Sequence, residues 1–126
     1  MRNFIIALFC LTSVVISANP VENLLERIER GASKKFKTQL IKGPTDFFEL
    51  SQEGNKVVIK GNTWVNIATG LNWYLKYHAG IHLTWNNMTA NLPERLPQVT
   101  QTERHETDLK LRYDFNYCTF SYSMAF

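Results

Sequence analysis

Phe47-Phe48-Glu49-Leu50, then Gln52-Glu53-Gly54-Asn55, then Lys56-Val57-Val58-Ile59-Lys60, then Gly61-Asn62 is the stretch on which the fold turns. Two runs rich in β-branched and aromatic side chains flank a Gly-Asn turn signal, which predicts a hairpin. In the second run Val57 and Ile59 face one way and Val58 the other. Asn62 is of the type that caps a helix, and a helix is predicted from it to His78. Trp64, Ile67, Ala68, Leu71, Trp73, Tyr74 and Leu75 give that helix a broad apolar stripe, so it should be the most buried element. Ala79-Gly80 ends it. Ile81-His82-Leu83-Thr84-Trp85 then alternates and is predicted as a strand.

Upstream of this stretch, Asn19-Pro20-Val21-Glu22 has the form of a helix start, with Asn19 as cap, Pro20 at the first helical position and Glu22 as a capping-box acid. Val21, Leu24, Leu25 and Ile28 follow helical spacing, and Gly31 is a stop. Phe36, Thr38 and Leu40 share one side of a predicted strand that Gly43-Pro44 breaks. Downstream, residues 86–107 turn polar, contain Pro93 and Pro97, and are expected to run over the surface as a connection. The order helix, three strands, helix, strand predicts an α+β domain: a small sheet of about four strands with two helices packed on it.

The 126 residues leave room for one domain. Apolar types make up 44% and aromatics 13%, which excludes a disordered chain. Residues 1–18 are set apart from the fold. A basic start at Arg2, an apolar run from Phe4 to Ile16 and the small pair Ser17-Ala18 form a secretory signal pattern, with cleavage expected after Ala18. The run is too short for a permanent anchor. The chain is therefore expected to be exported, to periplasm or cell exterior (the lysosome in an animal-like host), with no membrane anchor after cleavage. Removing residues 1–18 takes away Arg2 and no acid, leaving 13 basic against 11 acidic side chains. Such a balance is too weak to argue for nucleic acid. Cys10 leaves with the signal, so Cys118 would stand alone and an internal disulfide is excluded.

No constellation in the chain has the form of a catalytic centre. His78 and His82 have the spacing of a helical zinc pair, but Gly80 falls between them and no third ligand is near, so no metal and no cofactor is expected. Cys118 and His105 lack a cysteine-hydrolase signature, and a lone thiol among aromatics is ordinarily inert. Glycoside hydrolysis needs two facing carboxylates, and Asp114 is the one acid inside an aromatic-rich segment. That segment, Arg112 to Ser123, has two readings. If extended, Asp114, Asn116, Cys118 and Tyr122 share a side, and amides, hydroxyls and rings on one wall suit a sugar. The other reading is an aromatic core strand.

Tyr113, Asn116-Tyr117-Cys118-Thr119 and Ser121-Tyr122-Ser123 resemble a characteristic run of the α-N-acetylglucosaminidases, glycoside hydrolase family 89. Val58, Lys60-Gly61-Asn62-Thr63, Ala68, Gly70-Leu71, Tyr74-Leu75, His82 and Trp85 resemble the family too, and Leu92-Pro93 and Leu96-Pro97 fit its linker. The resemblance covers nearly all of the chain after the signal. It implies a small N-terminal α+β domain over residues 19–110 and, over 111–126, a junction with the start of a catalytic barrel. It also implies that family members remove terminal α-linked N-acetylglucosamine by a retaining mechanism whose two glutamates belong to the barrel. By resemblance, Asn116, Cys118 and Tyr122 line or buttress the sugar pocket. The expected partners are a catalytic barrel, missing or on a separate chain, and a glycan ending in N-acetylglucosamine. The resemblance thus implies an accessory domain, on a truncated or split chain that is inactive alone. The alternative is a free-standing exported module that binds glycans or a protein.

Overall fold

The computed structural model describes residues 19–84 and 86–110. The expected signal, the 111–126 junction and Trp85 lie outside them. The described residues form an α+β domain with helix α1 (Pro20–Ile28), a 3₁₀ turn (Ala32–Lys35), strands β1 (Phe36–Leu40), β2 (Asp46–Glu53) and β3 (Lys56–Gly61), helix α2 (Trp64–Tyr77) and strand β4 (Glu103–Thr107). The sheet order is β1-β3-β2-β4. β1 runs parallel to β3, while β2 is antiparallel to both β3 and β4. The predicted hairpin is β2–β3, closed by Gly54-Asn55 between the paired Glu53 and Lys56.

Asn19 caps α1 as expected. Its Oδ1 accepts from the backbone N–H groups of Val21 (3.1 Å) and Glu22 (3.2 Å), and its Nδ2 donates to Glu22 Oε1 and to Thr38 Oγ1. The last bond joins the head of α1 to β1, so one side chain serves both the helix end and its docking. Val21, Leu25 and Ile28 are buried.

Register places Phe36, Val57, Ile59, Phe48 and Leu50 on one side of the sheet, and these are buried under α2. Ile67, Leu71, Tyr74 and Leu75 meet them from the helix. Gly70 allows the close approach: a Cβ there would lie 2.9 Å from Ile59 Cγ2 and 3.0 Å from Phe48 Cδ2. The cap of α2 is Thr63, not Asn62. Thr63 Oγ1 accepts from Asn66 N at 3.1 Å, and Asn62 is drawn instead into the sheet corner described below. Gly80, at φ +66, ends the helix, with Ile81 N donating to Leu75 O at 2.7 Å. This is the glycine-dependent reversal that satisfies last-turn carbonyls.

The fourth strand is not Ile81–Trp85. Residues 81–83 lie outside the sheet, with Ile81 and Leu83 packed against the core, and Thr84 makes an isolated bridge to Asn87. The fourth strand is Glu103–Thr107, inside the stretch expected to be a connection. It alternates in orientation but not in hydrophobicity. An edge strand needs only one backbone partner, and β2 supplies it from Asp46 to Leu50. The rest of the connection is anchored rather than free. Leu92, Leu96 and Val99 are buried in the core, Tyr74 Oη donates to Pro97 O at 2.6 Å, and Val99 N donates to Gln52 Oε1 at 3.2 Å.

Candidate functional site

Asn116, Cys118 and Tyr122, the expected sugar-pocket positions, lie outside the described residues, as does Asp114. The structure instead details a polar corner at one end of the sheet. There β2 begins, α2 begins and β4 ends. Asn66, on the first turn of α2, is buried, an unusual place for an amide. Its Nδ2 donates to Asn62 Oδ1 at 2.6 Å and to Asp46 Oδ1 at 3.1 Å. Asn62 in turn donates to Thr45 O at 3.0 Å and accepts from Phe47 N at 3.3 Å. Two amides and a carboxylate thus satisfy one another and the entry of β2. The network fixes helix, strand and chain exit together, and such a network is costly to open partly. Asn62, just ahead of the Thr63 cap, and Asn66, on the buried side of the first turn, are four residues apart in sequence. That spacing was the available signal, and reading Asn62 as a cap concealed it.

Next to this corner lies a groove of about 390 Å³ lined by Asp46, Phe48, Asn66, Thr69, His105 and Thr107 among others. His105 points from β4 to the helix side and stacks on Phe48 at 4.9 Å between centroids, while Trp73 lies 4.3 Å from the same imidazole. Tyr77 continues the aromatic line 4.3 Å beyond Trp73. Glu103 on the same strand receives His78 Nε2 at 3.1 Å and stands 3.6 Å from His105 Nε2. His78 and His82 are not one turn apart on a helix, because α2 ends at Tyr77. Among the described residues no group of three or more His, Cys, Asp or Glu could hold a metal ion.

The carboxylates hold structural posts. Glu26 accepts from Gly31 N, Ser33 N and the Ser33 hydroxyl, and these bonds, with the serine hydroxyl foremost, hold its carboxyl below the usual range. Glu53 is held low by Lys37, whose Nζ lies 2.6 Å away. Glu49 bridges Lys60 at 3.0 Å and Arg104 at 3.9 Å on the outer face of the sheet. Glu29 accepts from Leu92 N. Burial pushes the Tyr74 phenol up to about 12. The lowered carboxyls of Glu26 and Glu53 suit structure and oppose the general-acid role that a raised pKa would serve.

The alpha-N-acetylglucosaminidase (NAGLU) N-terminal domain family matches residues 19–98. Alpha-N-acetylglucosaminidase of Homo sapiens is 29% identical over 120 residues, 94% of this chain and 15% of the human protein. A family 89 glycoside hydrolase from Clostridium perfringens, solved with 2-acetamido-1,2-dideoxynojirmycin, is 36% identical, with a TM-score of 0.68 over 84% of this chain and 13% of its own. The same organism's enzyme, solved with its substrate GlcNAc-α-1,4-galactose, gives 35% identity and a TM-score of 0.71, over 84% of this chain and 12% of its own. The chain thus spans less than a sixth of the length of these relatives.

Proposed function

The chain belongs to the family of α-N-acetylglucosaminidase N-terminal domains, and we propose that it acts as the non-catalytic accessory domain of an exported enzyme that removes terminal α-linked N-acetylglucosamine from glycans. The observation that carries this reading is the likeness, at 35% identity, to an enzyme solved with GlcNAc-α-1,4-galactose. The chemistry of the described residues agrees with it. Retaining hydrolysis needs a nucleophile and an acid/base about 5 Å apart, one of them with a raised pKa. The acids Glu26, Glu29, Glu49 and Glu53 are tied into caps and ion pairs instead. In this reading the two catalytic carboxylates come from the family's catalytic barrel and not from the described residues. Asn116, Cys118 and Tyr122 then become a wall of the sugar pocket once that barrel is in place.

Export is part of the same proposal. The pattern of Arg2, the apolar run and Ser17-Ala18 supports removal of residues 1–18, and among the described residues no helix is long and apolar enough to cross a membrane. The test is hydrolysis of GlcNAc-α-1,4-galactose by the purified chain, alone and mixed with a family 89 catalytic region. Turnover is expected only in the mixture. Turnover by the chain alone, abolished by Asp114→Asn, would overturn the accessory reading.

A further inference from the structure

Asn87-Met88-Thr89 is the one Asn-x-Ser/Thr triplet in the sequence, and its middle residue is not proline. This is the pattern at which an oligosaccharide is attached to asparagine in secreted chains. The modification also needs an acceptor that a folded chain leaves room around, and the structure provides one. Thr84 N donates to Asn87 O at 2.9 Å and Asn87 N to Thr84 O at 3.1 Å, which closes a tight reversal through Asn86. Beyond the triplet, Ala90 N donates to Ile28 O at 3.1 Å and Leu92 is buried. The triplet is therefore a short span held at both ends through its main chain. Asn87, Met88 and Thr89 are all exposed. Among the described residues, the bonds that hold this span use neither the Asn87 carboxamide nor the Thr89 hydroxyl.

We propose that Asn87 is the acceptor of an asparagine-linked glycan. The proposal rests on the export reading, because the donor, an oligosaccharide on a lipid diphosphate, is met by chains that cross a membrane. In the transfer, Asn87 Nδ2 bonds to the anomeric carbon of the first sugar. The bond from that carbon to the diphosphate oxygen breaks, the lipid diphosphate leaves with the electron pair, and one amide proton passes to a base of the transferase. The reaction takes place on the side chain, so the two backbone bonds between Thr84 and Asn87 are untouched. The glycan rises beside an apolar hollow of about 370 Å³ lined by Leu24, Ile28, Leu83, Thr84 and Met88. Met88 is 66% exposed there. A bulky hydrated sugar at Asn87 places polar cover beside apolar surface that the described residues leave bare. Asn86 is exposed as well, but Met88 stands two residues after it where the pattern needs Ser or Thr.

The experiment expresses the full chain in cultured animal cells, once with its own residues 1–18 and once with those residues replaced by a signal already established in that host. Chain recovered from the medium and the secretory compartments is treated with peptide N-glycosidase. The expected result is a loss of mass on treatment, with peptide mapping finding aspartate at position 87, the mark of a removed glycan. N87Q and T89A should each abolish the mass loss, T89S should keep it, and N86Q should leave it unchanged. Thermal midpoints of N87Q and T89A equal to that of the enzymatically stripped chain establish that the loss is not misfolding. By light scattering, the stripped chain should associate at lower concentration than the glycosylated one; equal association would overturn the covering role and leave the acceptor. Exported chain that loses no mass overturns the acceptor and leaves export standing. If only the form with the replaced signal is exported, and it carries the glycan, the acceptor stands and export by the chain's own residues 1–18 falls.

Discussion

Gly70→Ala tests the packing of α2 with a known sign on either side. In an exposed helix interior, glycine to alanine stabilises by roughly 0.5–1 kcal/mol, because alanine loses less backbone entropy. At Gly70 the new methyl would stand 2.9 Å from Ile59 Cγ2 and 3.0 and 3.1 Å from Phe48 Cδ2 and Cγ. Neither neighbour gives way easily. Ile59 is β-branched, on an inner strand and fully buried, and the Phe48 ring packs against both Trp73 and His105. Overpacking of this kind costs about 1–3 kcal/mol. The clash outweighs the propensity gain, and the expected result is a net loss of about 1 kcal/mol, or roughly 4–8 °C in the midpoint of a domain this size. Urea unfolding of the purified chain, followed by tryptophan fluorescence, measures it. Asn72→Ala, at an exposed position two residues along, is the control and should stabilise by a few tenths of a kcal/mol. If Gly70→Ala gains stability as Asn72→Ala does, α2 does not lie on Ile59 and Phe48, and the core has been placed wrongly.

Leu71→Ala should cost about 2–5 kcal/mol in the same assay, since Leu71 is 1% exposed and its removal leaves a cavity; a loss under about 0.5 kcal/mol would mean an exposed site. Tyr74 governs the alkaline limb. An unfolded tyrosine titrates near 10 and the folded one at about 12, so the folded state favours the protonated phenol. Its contribution is whole below about pH 10 and is lost as pH rises to about 12. Tyr74→Phe should therefore flatten the fall in stability across that interval, at a cost of about 1 kcal/mol at neutral pH for the bond to Pro97 O; two parallel pH–stability curves would refute it. Mass spectrometry of the chain recovered from the exporting compartment should show a start at Asn19, and an intact Met1 would contradict the export proposal.

The parts of the fold that could be read from sequence are those in which side-chain chemistry and backbone state agree. Asn19-Pro20 specifies a helix start by hydrogen-bond geometry and a fixed φ, and the start is there. Val57 and Ile59 fall on the helix side, as alternation requires, and Gly54-Asn55 closes the hairpin. The errors have one cause. Ile81 and Leu83 alternate like a strand, but their apolar side chains are used to cap the core beyond Gly80 while their backbone stays out of the sheet. Glu103 to Thr107 carries no hydrophobic alternation, yet it is a strand because β2 offers an unpaired edge. Hydrophobic pattern reports burial, and burial need not coincide with strand pairing, as β4 at one sheet edge and residues 81–83 outside the sheet both show.

The same distinction explains why the chemistry was harder to locate than the fold. Leu92, Leu96 and Val99 sit in a proline-containing polar stretch and are core residues, because a small sheet needs its open end closed and the connection is the polypeptide at hand. Asn62 reads from sequence as a cap, and it forms a network with Asn66 only when Asp46, far off in sequence, is brought to them by the β2–β3 register. A buried amide on an apolar helix stripe therefore marks a place where another element must arrive with matching groups. In this chain that element is the first residue of β2, which meets Asn62 and Asn66 at the corner where β4 ends.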